Sequence, residues 1–168
     1  MIAIITGLIA AVLYTTGTWL QLRLLTSTVQ AGTAPQRTAP LILLLAGAAL
    51  LAHLANTILL IKSSAGYDFG FFRVATLFSW VMVLTVLLTS LTKPLANLFI
   101  ALFPLAIVSI LCSTFLPSHY NPNPDLTGGV ALHSVLGILA FSLLTIAALQ
   151  ALLVAWLNRE LKQHHFSA

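Results

Sequence analysis

LILLLAGAALLAHLANTILLI, residues 41–61, is an apolar run that contains no charged side chain and a single histidine, His53. A helix needs roughly 20 apolar residues to cross the hydrocarbon core of a bilayer, so this stretch is long enough to span a membrane. Four comparable stretches accompany it, and the predicted spans are residues 2–22, 41–61, 71–91, 95–116 and 130–157. The sequence therefore predicts an all-α fold, a polytopic integral membrane protein whose five transmembrane helices form a single membrane domain.

The composition agrees with a membrane protein and excludes an ordinary soluble domain. Hydrophobic residues make up 60% of the chain and charged residues 6%, with a mean hydropathy of +1.05. In soluble domains about a quarter of the residues are charged. Lys and Arg occur in no basic run, which argues against binding to nucleic acid. With 168 residues, the chain has no room for a sizeable domain outside the membrane.

The positive residues predict how the bundle is oriented in the membrane. Cytoplasmic connections carry an excess of Lys and Arg. The first connection, the third connection and the C-terminal tail hold five of the seven positive residues, namely Arg23, Arg37, Lys93, Arg159 and Lys162, and the other two are Lys62 and Arg73. We therefore expect the N-terminus outside and the C-terminus in the cytoplasm, with the first stretch retained as a helix.

Prolines and polar residues predict where the helices are interrupted. Residues 23–40 are rich in Thr, Ser, Gln, Gly and Pro, and we expect them to hold no regular structure. Pro94 is expected in the first turn of the fourth helix, and Pro104 is expected to kink that helix. The segment 117–125 contains several prolines and should form an exposed loop. The fifth span is the longest and should tilt in the membrane or project from it.

Two histidines on membrane spans are the main candidate functional residues, because a membrane helix keeps an ionisable ring only where something compensates for it. The residues that follow His133 at intervals of about 3.6 share its helix face, and most of them are small, from Gly137 to Ala155. Small residues are typical of helix–helix contacts in membranes, so we expect His133 to face the bundle. The same interval from His53 meets small and polar residues such as Asn56, which predicts that His53 also faces inward.

Spacing alone leaves two interpretations of these residues open. In the first, His133 and His53 bind haem iron, for which neutral imidazole is a common ligand, while Arg73 holds a propionate and Trp80 stacks on the ring. In the second, the histidines make interhelical hydrogen bonds of about 0.6–2 kcal/mol each, and Arg73 and Trp80 have only interfacial and packing roles. The depths of the two histidines differ by about 6–8 Å, so one shared site and two separate sites both stay open.

The order of motifs from residue 99 to 162 resembles a known family. A polar loop follows Phe115-Leu116-Pro117, then Leu132-His133-Ser134 opens a long apolar helix that ends in Trp156-Leu157-Asn158-Arg159. This order resembles the cytochrome c assembly membrane proteins, in particular the CcsA/HemX-like branch with its YpjD-type inner-membrane members. The stretch RVATLFSW, residues 73–80, is similar to the third helix of that group, and His53 falls where the group tends to carry a second-helix histidine.

The resemblance implies a haem-binding or haem-handling protein of the bacterial inner membrane that supports cytochrome c biogenesis. It implies haem as the cofactor and His133 and His53 as iron ligands. It also implies membrane lipid, haem and other cytochrome c maturation components as partners. Family members use a tryptophan-rich WWD loop, but the HemX-like and YpjD-type members lack a full WWD motif, so its absence from this sequence fits that branch. Family members also have further spans after the fifth, which this sequence does not contain. We therefore expect the chain to be the N-terminal part of a larger family domain, truncated after the fifth helix.

Other functional classes receive less support from the sequence. It contains no nucleophile–base pair, carboxylate pair or glycine-rich phosphate loop, so we expect no enzymatic activity. The alternative function is a structural or regulatory membrane subunit that acts through helix–helix contacts without bound haem. A solute transporter is less favoured, because neither an inverted repeat nor paired broken helices are recognisable. His119 and the pair His164-His165 are weaker candidate ligands, since histidines outside the membrane are usually only solvated.

Overall fold

Five α-helices account for nearly all of the chain that can be described. The computed structural model describes residues 1–30, 40–63, 66–92, 95, 97–120 and 128–165. The helices are α1 (Ile2–Gln30), α2 (Pro40–Ile61), α3 (Phe71–Ser90), α4 (Leu98–Phe115) and α5 (Gly128–His165). Each of them is long and apolar enough to cross a membrane. The prediction of an all-α polytopic membrane fold with five transmembrane helices is confirmed, whereas the predicted orientation of the termini stays a prediction.

Three helix boundaries differ by more than two residues from the predicted ones, namely the end of α1, the start of α4 and the end of α5. α1 continues to Gln30, because no Gly or Pro interrupts it after Gly17, so residues 23–30 are helical and not irregular. Residues 31–39 lie outside the described residues. α4 begins at Leu98, so its first turn does not contain Pro94, which itself lies outside the described residues. α5 has 38 residues, a length of about 57 Å, and exceeds the hydrocarbon thickness of a bilayer.

The core lies among α1, α2, α3 and α4. α1 packs against α2 and α4, and α3 packs against the same two helices. Tyr14, Phe99 and Phe103 are among the largest fully buried side chains, and the ring centroids of Tyr14 and Phe103 are 5.1 Å apart. Lipid tails are as apolar as these side chains, so close packing and interhelical hydrogen bonds hold such a bundle together.

α5 lies at the side of this core and packs mainly against α3. The rings of Phe78 on α3 and Phe141 on α5 meet edge to face, with centroids 6.2 Å apart. Ile138, Ser142 and Ile146 form the buried face of α5. Most of the other described side chains of α5 are exposed, so only a narrow face of this long helix belongs to the bundle.

A short antiparallel β-hairpin, which the sequence analysis did not predict, connects α2 to α3. β1 (Lys62–Ser63) pairs with β2 (Gly66–Tyr67). Gly66 has a φ of 126°, a backbone conformation that only glycine adopts without strain. We call this end of the bundle the hairpin end. It also contains segment 116–120, which follows α4, and the first turns of α1 and α5.

Candidate functional site

His53 lies at the centre of a polar network inside the four-helix core. Its side chain is 0% exposed. Its Nε2 atom is 2.9 Å from Oγ1 of Thr76 on α3, and its Nδ1 atom is 3.3 Å from the hydroxyl oxygen of Tyr14 on α1. A neutral imidazole has one donor and one acceptor nitrogen, so these two hydroxyl groups satisfy the ring completely. The predicted inward orientation of His53 is confirmed, and its ring joins α2 to α1 and α3.

Asn56 continues the network one turn further along α2, toward the hairpin end. Its amide nitrogen donates to the carbonyl oxygen of Ala3 on α1 at 2.7 Å and to Oγ1 of Thr114 on α4 at 3.3 Å. Its Oδ1 atom is buried and accepts no hydrogen bond from the described residues. Together, His53 and Asn56 link α2 to each of the three other core helices through side chains.

Trp80 joins α3 to α2. Its Nε1 atom donates to the carbonyl oxygen of Leu50 at 2.9 Å. One edge of its ring also borders a groove of about 550 Å³ between α3 and α5, which is lined mostly by Leu and Val side chains. No histidine is among the described residues that line this groove, so the structure brings no candidate iron ligand to the Trp80 ring there.

Arg73 lies at the hairpin end, where it connects α3 to α4 and to the hairpin segment. Its Nη1 atom donates to Oγ of Ser113 at 3.2 Å, and its Nε atom is 3.6 Å from Oδ2 of Asp68. The other carboxylate oxygen of Asp68 accepts hydrogen bonds from the Gly70 N–H and the Ser118 hydroxyl, both at 2.8 Å. Because the Arg73 side chain is only 13% exposed, this ion pair is largely shielded from solvent.

His133 faces away from the bundle, so the predicted inward orientation of this residue is wrong. It is exposed, and so are Ala140 and Ala147 on the same side of α5. The buried face of α5 carries Ile138 and Ile146, whose branched side chains fill the contact with α3. A face of small residues allows another helix to pack closely against it, but it does not show that a helix of this chain does so.

The structure does not bring the two predicted iron ligands together. His53 is enclosed by core helices and has both ring nitrogens hydrogen-bonded, whereas His133 lies on the exposed face of α5. Among the residues that the structure describes, no group of three His, Cys, Asp or Glu could hold a metal ion. The haem-binding roles of these residues, and of Arg73 and Trp80, therefore stay predictions that no geometry here tests.

Sequence reasoning assigned no specific contact to three residues that form polar interactions inside the protein. Tyr14 was not singled out, although a tyrosine in the middle of an apolar span needs a partner for its hydroxyl group. Asn56 was recognised only as part of a stripe. Asp68 lies five residues before Arg73, a spacing with no helical or strand periodicity to indicate the ion pair.

Comparisons with known proteins agree with a membrane location. The chain is 28% identical over 99 residues to "Inner membrane protein YpjD" of Escherichia coli strain K12, and the same values hold for the YpjD proteins of strains O6:H1 and O157:H7. The alignment covers 58% of this chain and 37% of these relatives, so the chain spans little more than a third of their length. No family model matches the chain, and no solved structure matches it. With its five membrane-spanning helices, the protein is a multi-pass protein of the inner membrane.

Proposed function

We propose that this protein handles haem in support of cytochrome c biogenesis, with the open face of α5 as the haem-binding surface and without catalysing a reaction itself. The observation that carries the proposal is the position of His133, which is exposed near the start of α5 and makes no hydrogen bond to the described residues. An imidazole nitrogen without a partner is a suitable ligand for haem iron. The resemblance of the His133 region to cytochrome c assembly proteins supports haem as the ligand.

The surface next to His133 suits a flat apolar ring. Gly137 and Ala140 lie one and two turns along the same side of α5, and their small side chains leave a shallow surface. A Cβ atom placed at Gly137 would meet no heavy atom within 4 Å, so no neighbouring side chain obstructs this surface. His133 would hold the iron of a porphyrin here, and the small residues of α5 would lie against its ring.

The four-helix core has a supporting role in this proposal. Both nitrogens of His53 already bind hydroxyl groups, and Trp80 already donates to a carbonyl oxygen. We therefore assign His53, Trp80 and the ion pair of Arg73 to the scaffold that positions α3. Because α5 packs on α3, this scaffold determines where His133 is presented.

A reduced-minus-oxidised absorption spectrum of the detergent-purified protein with added haem tests the proposal. We expect a haem band in the wild-type protein and its loss in His133→Ala, because the substitution removes the iron ligand. His119→Ala is the matched control, since it removes another histidine from the hairpin end. A band that persists unchanged in His133→Ala would overturn the assignment. A band lost in a folded His53→Ala variant would instead place the iron in the core.

A second candidate function is that of a structural or regulatory subunit that acts through helix contacts without haem. The one-sided packing of α5 favours it, because the small residues opposite α3 are exposed and would allow another membrane helix to approach closely. We expect Ala147→Leu to reduce co-purification of a haem-free partner about tenfold, equivalent to about 1.4 kcal/mol. Ala101→Leu, at an exposed position on α4, is the control. Equal recovery of the partner with both variants would contradict this function.

A further inference from the structure

A cavity of about 350 Å³ opens at the hairpin end of the bundle. One wall is formed by residues 69–73, which include the first turn of α3, and the other by residues 116–120, which follow α4. Aromatic and apolar side chains, including Phe72 and Tyr120, form most of its surface, and Arg73 and His119 contribute the polar side of it. The cavity therefore combines an apolar wall with a cation, and none of the described residues that line it belongs to α5.

The guanidinium group of Arg73 has donor capacity that the protein does not use. Nη1 donates to Ser113, but Nε is buried and makes no hydrogen bond within the described part of the chain. Nη2 likewise donates to none of the described residues. A buried donor without an acceptor is costly, and a charged donor is more so. Nε faces Asp68, so an oxyanion in the cavity would accept its hydrogen bond from Nη2 of Arg73.

The first turn of α3 borders the same cavity. The N-cap residue is Gly70, which forms no side-chain hydrogen bond with the helix. The first amide groups of a helix have no acceptor inside the helix, and the positive end of the helix dipole favours an anion there. Phe71, Phe72 and Arg73, which belong to this turn, all line the cavity.

The carboxylate of Asp68 does not fill the anion position of this cavity. Its Oδ1 atom accepts hydrogen bonds from the Gly70 N–H and the Ser118 hydroxyl, and Asp68 is absent from the residues that line the cavity. Its Oδ2 atom stays 3.6 Å from Nε of Arg73, beyond hydrogen-bond distance. The carboxylate therefore pairs with Arg73 without lining the cavity itself, whereas Arg73 does line it.

We propose that this cavity binds the phosphate headgroup of an anionic phospholipid. Arg73 and the first-turn amides of α3 bind the oxyanion, and the aromatic wall contacts the glycerol and the start of the acyl chains. The apolar stretch of α3 that is long enough to cross a membrane begins at Phe71, so we expect Arg73 within one helical turn of the membrane surface, at the depth of lipid headgroups. The described residues of this site do not include His133 or the haem surface on α5, and lipid binding and haem binding are measured separately, so either proposal can fail without the other.

Native mass spectrometry of the full chain tests this proposal, with phosphatidylglycerol as the probe and zwitterionic phosphatidylcholine as the comparison lipid. We expect Arg73→Gln to bind phosphatidylglycerol about tenfold more weakly than the wild type, because a charge-assisted hydrogen bond is lost. Arg73→Lys should bind phosphatidylglycerol with an affinity between those of the wild type and Arg73→Gln, since lysine keeps the charge but lacks the planar guanidinium group. Arg23→Gln is the control, because Arg23 stacks on Trp19 near the other end of α1.

Leu116→Trp provides a second test that leaves the bonds of Arg73 intact. Leu116 lines the cavity and is 42% exposed, so a larger side chain there fills the apolar part without entering the core. We expect it to weaken phosphatidylglycerol binding about tenfold as well. Equal binding of both lipids, or undiminished binding by both variants, would overturn the proposal. Inorganic phosphate that binds as tightly as phosphatidylglycerol would overturn the lipid as the ligand.

Discussion

His53→Ala lowers the free energy of unfolding by about 2–4 kcal/mol, because the imidazole connects three helices in an interior without water. The substitution removes the contacts with Thr76 and Tyr14 and leaves a cavity at a position that is 0% exposed. It also leaves two buried hydroxyl groups without this partner. Unfolding of the purified protein by titration with sodium dodecyl sulfate, followed by circular dichroism, measures the change.

His133→Ala is the matched control for this experiment. It makes the same chemical change at an exposed position of α5, and we expect its stability to stay within about 0.5 kcal/mol of the wild type. The pair of variants also separates structure from haem binding, because His53→Ala should affect stability and His133→Ala should affect the haem spectrum. A His53→Ala variant as stable as the wild type would show that the network does not hold the bundle together.

Gly7→Leu causes the second large effect, a loss of about 3–5 kcal/mol, because α1 lies close to both α2 and α4 at this residue. A Cβ atom placed at Gly7 would lie 2.8 Å from Nδ2 of Asn56 and 3.0 Å from Oγ1 of Thr114. Both atoms belong to the polar network, so even a small side chain would displace the hydrogen bonds of Asn56. The same unfolding titration measures the loss, and size-exclusion chromatography reports whether the bundle expands.

Gly47→Leu is the matched control on α2. A Cβ atom placed at Gly47 would meet no heavy atom within 4 Å, and we expect a change of no more than about 0.5 kcal/mol. Gly7→Ala should give an intermediate loss, although alanine is a better helix former than glycine. If leucine at both positions reduced stability equally, the close approach of α1 at Gly7 could not be the cause.

The number and type of spans could be predicted from the sequence because the bilayer leaves few alternatives. Backbone polar groups must be satisfied within the segment that crosses the membrane, so each long apolar run has to be helical. The limits of helices outside the bilayer are less constrained. α1 therefore continues beyond the predicted boundary to Gln30, and the short hairpin at Gly66 was not foreseen.

The inward orientation of His53 could also be predicted, whereas that of His133 could not. Polar residues such as Asn56 and Thr57 share the face of His53, and polar groups in a membrane helix need partners inside the protein. The face of His133 carries mainly small apolar residues, and such a face is compatible with lipid as well as with a neighbouring helix. Its exposure was decided by the branched side chains with which α5 packs on α3.

The hydropathy of the chain is sufficient to predict a five-helix membrane protein and the residues that share each helix face. The packing of the helices is needed to show that His53 pairs with Tyr14 and Thr76, that Arg73 borders a cavity, and that His133 lies on an open surface. The hydropathy of a span indicates that the helix enters lipid. It does not distinguish the faces of the helix, because lipid tails are as apolar as the side chains of a neighbouring helix. The choice between lipid and a neighbouring helix depends on shape and on hydrogen-bond partners from other helices, which no single span contains.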